Sequence, residues 1–508
     1  MDALSRRTFI AGSAAIAGGL ALAARPSALF ASSKLSFEEY RRHDGLSLGQ
    51  LVRDGEVSAS ELLEMAIART EQINPEINAV VLKHYDQARE AVSQGVPSGP
   101  FGGVPFLLKD LGVSMQGTVT TQGSRLFRDA VADADDAYVK KMRKAGLVIF
   151  GKSNSPEFGS NPSTESILHG ATHNPWALDR SAGGSSGGAA AAVAAGIIPV
   201  AHASDGGGSI RIPASCCGLF GLKPSTGLVL KDAAGEDLRG ILSAQHVISR
   251  SVRDSAAMLD LTARTGLGKA YAVQADQGSY FEQLQRKPGR LRIALMRDPL
   301  LPIPVDPACY AAVDMAARQC AALGHEVVEA RPPIDMQAAM GAGGTISVVG
   351  VAERVAAREA QLGRAATADD LEQVDIGMVG WGRKVSALDY RKALEDLARL
   401  REQMRTFMAD YDLILSPTIA REPPPLGELD MSLPLDEFGP IATRSSVFTT
   451  LYNFTGQPAM SVPLFWSEAG LPIGVMFAGR FAEERTLLRL AGQLEQAHPW
   501  FQRVPALS

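Results

Sequence analysis

The stretch from residue 181 to residue 213 constrains this chain more than any other. It holds an alanine-rich run between two glycine-flanked serines, Ser185 and Ser209. A run of small residues that is apolar on every side predicts a helix buried inside the protein. Buried hydroxyls need hydrogen-bond partners, and neighbouring glycines leave backbone N–H groups open to a ligand. The stretch therefore predicts two polar, glycine-rich turns that meet in a buried setting.

Two common interpretations of glycine-rich turns are not favoured here. One is phosphate binding, but no G-x-G-x-x-G follows a predicted strand and no G-x-x-x-x-G-K-[ST] occurs. The other is a serine-hydrolase elbow, because residues 183–187 fit G-x-S-x-G. That motif requires an apolar strand directly before the serine, whereas residues 174–180 are typical of a loop. We therefore interpret this second match as accidental.

A third interpretation combines both serines with a lysine. Residues 183–188 and 205–211, together with an apolar strand over 104–110 that ends in Lys-Asp, resemble the amidase signature family of serine–serine–lysine hydrolases. The two serines stand 24 residues apart, as we expect of that family. Further blocks match in the same order, so the resemblance runs from about residue 45 to the end of the chain. These blocks are 151–158, 221–225, 453–459 and 471–475.

Within the family, the chain looks most similar to the 6-aminohexanoate cyclic dimer hydrolase branch. Residues 202–205 and 211–215 carry this finer resemblance. One departure is Gly206, where many family members have a bulkier residue. Glycine at this position is expected to loosen the turn and to leave its N–H in place.

The resemblance implies a role for each residue of the motif. Ser209 is the implied nucleophile, Ser185 the bridging serine and Lys109 the base, and the peptide bond between Gly184 and Ser185 is implied to be cis. Consecutive glycines let several amides point at one atom. The implied oxyanion hole is therefore formed by the N–H groups of Gly206, Gly207, Gly208 and Ser209. The implied fold is α/β, a large mixed β-sheet core sandwiched between helices, and neither a metal nor a cofactor is expected.

The proposed base must lose its proton before it can work. The reference pKa of lysine is about 10.4, and burial can lower it by up to roughly 3–5 units. The apolar strand before Lys109 and the alanine-rich run are expected to supply this burial. We therefore expect activity to rise with pH along one ionisation, well above that of histidine.

Three residues beside the motif are expected to support it. Asp205 and Arg211 flank the nucleophile, and we expect an ion pair that fixes the loop rather than direct catalysis. Two interpretations of Ser186 remain open. It either forms a hydrogen bond within the triad or caps the helix that follows.

Histidines and cysteines are expected to have structural roles. His169, His173 and His202 lie near the core blocks, but the sequence holds no H-E-x-x-H motif. Cys216 and Cys217 are adjacent and cannot form a C-x-x-C site. The four cysteines of the 508-residue chain do not amount to a disulfide framework.

The first residues are typical of an export signal. Residues 5–10 carry a twin-arginine pattern, and an apolar run of 16 residues follows from Phe9 to Ala24. A spanning helix needs about 20 apolar residues, so a retained membrane anchor is the less favoured alternative. We expect residues 1–31 to be a signal peptide that exports the folded protein by the twin-arginine route. The expected location is the bacterial periplasm or the medium.

Charge and composition restrict the partners. Removing residues 1–31 takes away three arginines and one aspartate, which changes the formal net charge from −5 to −7. A mildly acidic surface argues against a nucleic-acid partner. The expected partner is a small-molecule amide, no stable membrane anchor is expected, and the sequence leaves a homodimer open.

Strand and helix patterns alternate along the chain. A capping box at Ser58 begins a helix that is predicted to end at Asn74-Pro75, and a strand is predicted over 77–82. Such alternation indicates an α/β sheet between helices. We predict one domain over 32–508, with a helical, substrate-selecting insertion at about 270–440. Within or beside it, strands are predicted over 291–296, 326–330 and 412–416.

The sequence therefore predicts an exported hydrolase of carboxylic amides that works through a seryl acyl-enzyme. An amidotransferase subunit of a multi-chain complex is the first alternative, and an inactive homologue is the second. The presence of all three motif residues disfavours the inactive homologue. Linear or cyclic aliphatic amides, aryl amides, esters and carbamates all remain open as substrates.

Overall fold

Helices and strands alternate along most of the computed structural model, which describes residues 35–229, 241–263 and 278–507. The predicted signal peptide lies outside these ranges. The strands are β1 Val80–Lys83, β2 Pro105–Lys109, β3 Val148–Ser153, β4 Glu165–Ser166, β5 Gly170–Ala171, β6 His173–Asn174, β7 Ala177–Ser181, β8 Val200–Asp205, β9 Phe220–Lys223, β10 Ala244–Ser249, β11 Arg292–Leu295, β12 Glu326–Glu329, β13 Leu413–Pro417, β14 Ala459–Trp466 and β15 Pro472–Gly479.

Fifteen α-helices accompany these strands within the described ranges. They are α1 Phe37–Tyr40, α2 Gly45–Arg53, α3 Ala59–Ile77, α4 Tyr85–Ser93, α5 Ala137–Lys144, α6 Gly187–Ala194, α7 Arg211–Cys217, α8 Val252–Thr262, α9 Pro307–Ala322, α10 Met336–Leu362, α11 Gln373–Gly382, α12 Ala387–Phe407, α13 Leu435–Ser446, α14 Thr450–Phe454 and α15 Glu484–Ala497. None of them is long and apolar enough to cross a membrane.

An eight-stranded mixed sheet forms the centre, in the order β12-β11-β13-β15-β14-β9-β10-β8. β11 pairs in parallel with β12 and β13, and the other neighbours pair antiparallel. Successive side chains on a strand point to opposite faces. Leu413 and Leu415 accordingly pack into a core that includes α8, α9 and α15, whereas Ile414 packs with α10, α12 and α14. The predicted arrangement, a mixed sheet between helices, is confirmed.

The described part of the region from about 270 to 440, which we predict to be an insertion, contains the predicted strands as well as helices. The three strands predicted within it form β11, β12 and β13, and all three belong to the central sheet. Its long helices run from Met336 to Phe407. β12, β11 and β13 lie side by side at one end of that sheet, so this region contributes strands to the central sheet as well as helices.

The first long helix begins as predicted but ends later. α3 starts after the Ser58 capping box, continues through Pro75 and stops at Asn78, which adopts a left-handed conformation with φ of 47°. The Asn74 side chain accepts the N–H groups of Ala79 and Val80, each at 2.8 Å. The Asn74 side chain takes the place of the backbone acceptors that would continue the helix. The strand therefore begins at Val80 rather than at Ile77.

A second, three-stranded sheet of order β1-β3-β2 carries the lysine of the motif. β2 lies at its edge, is buried throughout and ends at Lys109. The alanine-rich run forms α6, in which every residue is buried, as predicted. α6 packs between β8 of the large sheet and strands β2 and β3 of the small one. This packing brings the glycine-rich turns beside Lys109.

Candidate active site

Lys109 is a fully buried lysine at the junction of the two sheets. Its Nζ lies 2.7 Å from Ser185 Oγ and 3.2 Å from Ser204 Oγ. Burial lowers the pKa of Lys109 to about 7, although the negative charge of Asp205 acts in the opposite direction. The sequence predicted this burial, and complete removal of the side chain from water brings the pKa lower than the ionisation well above that of histidine that we expected.

Ser185 begins the turn that leads into α6. The peptide bond between Gly184 and Ser185 is cis, as the motif implied. Ser185 is 2% exposed and lines the cavity described below. A side chain at Gly184 would overlap the backbone oxygen of Ser163. Only glycine therefore fits before the serine that touches Lys109.

Ser186 does not cap α6 with its side chain, although it occupies the N-cap position. Its hydroxyl donates to the backbone oxygen of Ser204 at 3.3 Å and accepts the Ser204 N–H at 3.4 Å. Of the two interpretations left open, helix capping is not observed. Ser186 contacts the strand residue that itself contacts Lys109.

Ser209 lies in the turn between β8 and α7, partly exposed to the cavity. Gly206 and Gly207 line the same cavity. Among the described residues, no acceptor receives the N–H of Gly206, Gly207 or Ser209. These three N–H groups are available to an oxygen atom of a ligand.

Gly208 must be removed from the predicted oxyanion hole. Its N–H donates to Asp205 Oδ1 at 2.8 Å and is therefore already engaged. Its φ is 136°, and a side chain there would overlap Thr449 Oγ1. Glycine is required at this position by backbone geometry, not by the need for a donor.

Asp205 and Arg211 form a fully buried ion pair behind this turn. Two hydrogen bonds of 2.9 Å join the carboxylate to Arg211 Nε and Nη2. Although burial opposes it, the Arg211 guanidinium holds the pKa of Asp205 well below its usual range. Asp205 also accepts the Ile210 N–H at 3.2 Å, and neither partner lines the cavity. The geometry agrees with the predicted role of fixing the loop.

Sequence reasoning missed three polar residues that complete the site. Ser204 contacts Lys109, and Asn453 donates to Asp205 while accepting from Arg211 Nη2 at 2.8 Å. Thr450 Oγ1 donates to the backbone oxygen of Gly207 at 3.1 Å. Asn453 lies in one of the motif blocks, so its position carried a signal. Ser204 lies in the block over 202–205, so its position also carried a signal, whereas nothing in the local pattern marks Thr450.

Most histidines and cysteines near the motif contact residues outside the proposed triad. His169 Nε2 lies 3.0 Å from Thr121 Oγ1, and His173 Nδ1 lies 2.6 Å from the backbone oxygen of Leu178. Cys216 and Cys217 are buried free thiols at the end of α7. His202 is different, because its ring touches the backbone of Lys109.

A cavity of about 1050 Å³ opens in front of the two serines. One wall is a face of α10 with small residues at Gly343, Ser347 and Gly350. The spacing of three to four residues keeps these positions on one side of the helix. Farther along, Arg354 stands over the Phe158 ring with its guanidinium carbon 5.5 Å from the ring centre. The cavity is large enough for a ring-containing amide.

Comparison with known proteins agrees with this arrangement. The Amidase family model matches residues 61–488. The chain is 39% identical to the 6-aminohexanoate-cyclic-dimer hydrolase of Paenarthrobacter ureafaciens over 477 residues, which cover 91% of this chain and 96% of that protein.

Solved structures point the same way. A 6-aminohexanoate cyclic dimer hydrolase structure matches with a TM-score of 0.86 and 37% identity, covering 92% of this chain and 99% of that one. A bacterial aryl acylamidase of the amidase signature family matches with a TM-score of 0.81 and 28% identity, with the same coverage. One component of the glutamyl-tRNA(Gln) amidotransferase of Thermotoga maritima is a more distant match, with a TM-score of 0.72 and 26% identity over 91% of this chain and 96% of that one. The chain therefore belongs to the amidase signature family and is a hydrolase of carboxylic amide bonds.

Proposed function

We propose that Ser209, Ser185 and Lys109 carry out amide hydrolysis as nucleophile, proton relay and base. The observation that carries this proposal is the 2.7 Å contact between Lys109 Nζ and Ser185 Oγ, in a buried site that opens onto the cavity at Ser209. A lysine with a pKa of about 7 is half neutral near neutral pH. It can then accept a proton, which an ordinary surface lysine does not do.

Acylation begins with attack by Ser209 Oγ on the amide carbon. The Ser209 proton passes to Ser185, and the Ser185 proton passes to neutral Lys109. The amide oxygen becomes negatively charged and accepts the free N–H groups of Gly206, Gly207 and Ser209. Fixed donors in a buried site stabilise this charge more than water does, because they need not reorient.

The tetrahedral intermediate collapses when the leaving nitrogen receives a proton. Protonated Lys109 returns its proton through Ser185, the carbon–nitrogen bond breaks, and the amine departs. An ester now joins the acyl group to Ser209. Water attacks this ester by the same route, with Lys109 again as base, and releases the carboxylic acid and free Ser209.

We propose bulky amides, cyclic or aryl, as the substrate class. The cavity volume of about 1050 Å³ and the small residues on α10 support this choice. Relatives named as a cyclic-dimer hydrolase and an aryl acylamidase support it further. Helix α10, which belongs to the region from 270 to 440, forms one wall of this cavity. This position supports the proposal that the region selects the substrate.

A hydrolysis panel tests the function directly. We expect turnover of cyclic diamides and anilides that exceeds turnover of small linear amides, because only the bulky compounds fill the cavity. Product acid and amine are measured by chromatography, with the Ser209→Ala protein as blank. If small linear amides are the best substrates, the bulky-substrate class is wrong. If no amide is hydrolysed in a Ser209-dependent way, the catalytic assignment is wrong.

The amidotransferase alternative predicts a different result. Such a protein works with partner chains and is expected to be inactive alone, whereas the proposed amidase is active as purified. Gel filtration with an activity assay on each fraction separates the two. The same column tests a homodimer, which the sequence left open.

We also propose that the protein is exported. The twin-arginine pattern at residues 5–10 supports this, and every residue of the site lies beyond residue 100. Changing Arg6 and Arg7 to lysine is expected to keep the protein in the cytosol in active form, because the signal is not part of the enzyme domain. Amidase activity in periplasmic and cytosolic fractions measures this. An altered protein that still reaches the periplasm contradicts the proposal.

A further inference from the structure

The base lysine lies where the edges of the two sheets meet. β2 is the edge strand of the three-stranded sheet, and β8 is the edge strand of the eight-stranded sheet. His202 lies on β8, and its Nδ1 accepts the backbone N–H of Lys109 at 3.1 Å. A side chain thus supplies the acceptor that a paired strand supplies inside a sheet.

Two side chains on one face of β8 hold Lys109 at two points. His202 and Ser204 are two residues apart on the strand, so they share a face. His202 accepts the backbone N–H of Lys109, and Ser204 Oγ lies 3.2 Å from its Nζ. The position and the direction of the lysine side chain are therefore both fixed from β8.

His202 has the protonation state that this contact needs. The side chain is fully buried and packs against the Tyr138 ring, with 4.7 Å between the ring centres. Burial, followed by the positive charge of Lys109, lowers the pKa of His202 to about 3. The ring is neutral at working pH and carries its proton on Nε2, because Nδ1 accepts. The Gln245 side chain acts in the opposite direction on this pKa but does not outweigh burial and the Lys109 charge.

We propose that His202 is a positioning residue for the catalytic base. Its neutral imidazole fixes the Lys109 backbone at the sheet junction and so directs Nζ at Ser185, without placing a second positive charge beside the lysine. His202 does not touch the substrate. The inference rests on the proposed role of Lys109.

Two amide variants at this position test the proposal. In His202→Asn, Oδ1 takes the place of Nδ1 and remains an acceptor for the Lys109 N–H. In His202→Gln, the amide extends one bond farther and leaves that N–H without its acceptor. We expect His202→Gln to lower kcat for an amide on the order of 10²-fold with KM unchanged, and His202→Asn to stay within about tenfold of the parent. An activated ester, whose leaving group needs little protonation, is expected to lose less rate than the amide.

His246 provides a matched control. It is also fully buried on the central sheet, and burial lowers its pKa to about 3. It lies opposite Ala203 in the register, so its ring faces away from Lys109 and contacts Ser255 Oγ at 2.9 Å. His246→Leu is expected to lower the melting temperature without lowering kcat.

The outcomes separate the inference from the function on which it rests. Equal kcat values for His202→Asn and His202→Gln overturn the positioning role, as does an equal loss of kcat in His246→Leu. Failure of the proposed function appears earlier, as a parent protein without Ser209-dependent turnover. If His202→Gln does not fold, the folded His202→Asn protein still tests the positioning role. A loss on the order of 10²-fold in its kcat rejects the proposal.

Discussion

Replacing Ser209 with alanine is expected to lower the rate of amide hydrolysis on the order of 10⁴- to 10⁶-fold. The substitution removes the oxygen that would carry the acyl group. Ser209 lies in the turn whose Gly206 and Gly207 N–H groups are free among the described residues, and it lines the same cavity as Ser185, which contacts Lys109. A fluorophosphonate is expected to add once to the parent protein and not to Ser209→Ala. Intact-mass spectrometry and initial rates with an anilide measure both effects.

Ser446 provides a matched control for this prediction. It lines the same cavity from α13, and its hydroxyl donates to the backbone oxygen of Ala442 at 3.3 Å. Ser446→Ala is expected to keep the adduct and a rate within about threefold of the parent, since surface-like substitutions away from the reacting atoms cost little. An adduct that persists in Ser209→Ala, or that maps to Ser185, contradicts the assignment of the nucleophile.

Changing Lys109 to arginine is expected to be as damaging as changing it to alanine, with an amide rate lower on the order of 10³-fold or more. Arginine keeps the positive charge but stays protonated at any usable pH, so it cannot accept the Ser185 proton. In the parent, the neutral fraction of Lys109 grows as pH rises through its pKa of about 7. kcat/KM is therefore expected to rise up to that pH and then to level off. Rates from pH 5 to pH 9 for parent and variants measure this.

A midpoint near 7 does not by itself distinguish lysine from histidine. The buried histidine beside the base is excluded as its source, because burial and the Lys109 charge lower the pKa of His202 to about 3. The amide rate of Lys109→Arg therefore decides whether the ionisation near 7 belongs to the lysine. An arginine variant that keeps near-normal amide hydrolysis would show that the lysine is only a structural charge.

Lys152 controls for the simple loss of a buried lysine. It lies on β3 next to β2, is fully buried and has a pKa that burial lowers to about 8. Its Nζ donates to the backbone oxygen of Val119 at 2.6 Å and has no contact with Ser185 among the described residues. Lys152→Arg keeps this charge and donor and is expected to retain most of the activity. A collapse of activity in this variant would mean that any change to a buried lysine disrupts the fold.

The sequence by itself determined most of the secondary structure and the identity of the motif residues. A capping box begins α3, alanines on every side bury α6, and apolar runs form β2, β11 and β13. These features depend on neighbours a few residues away, so a local pattern is sufficient to predict them. The motif blocks also predicted that Lys109, Ser185 and Ser209 belong to one site.

Tertiary structure decided how those residues are connected. The N–H of Gly208 binds Asp205 instead of facing the cavity, and Ser186 contacts Ser204 instead of capping α6. His202 reaches Lys109 across 93 positions of sequence, because the packing of α6 brings two sheet edges together. The same packing removes Lys109 from water and sets its pKa near 7. Hydrogen-bond partners and burial depend on which distant strands meet, and a local sequence pattern contains no information about that meeting.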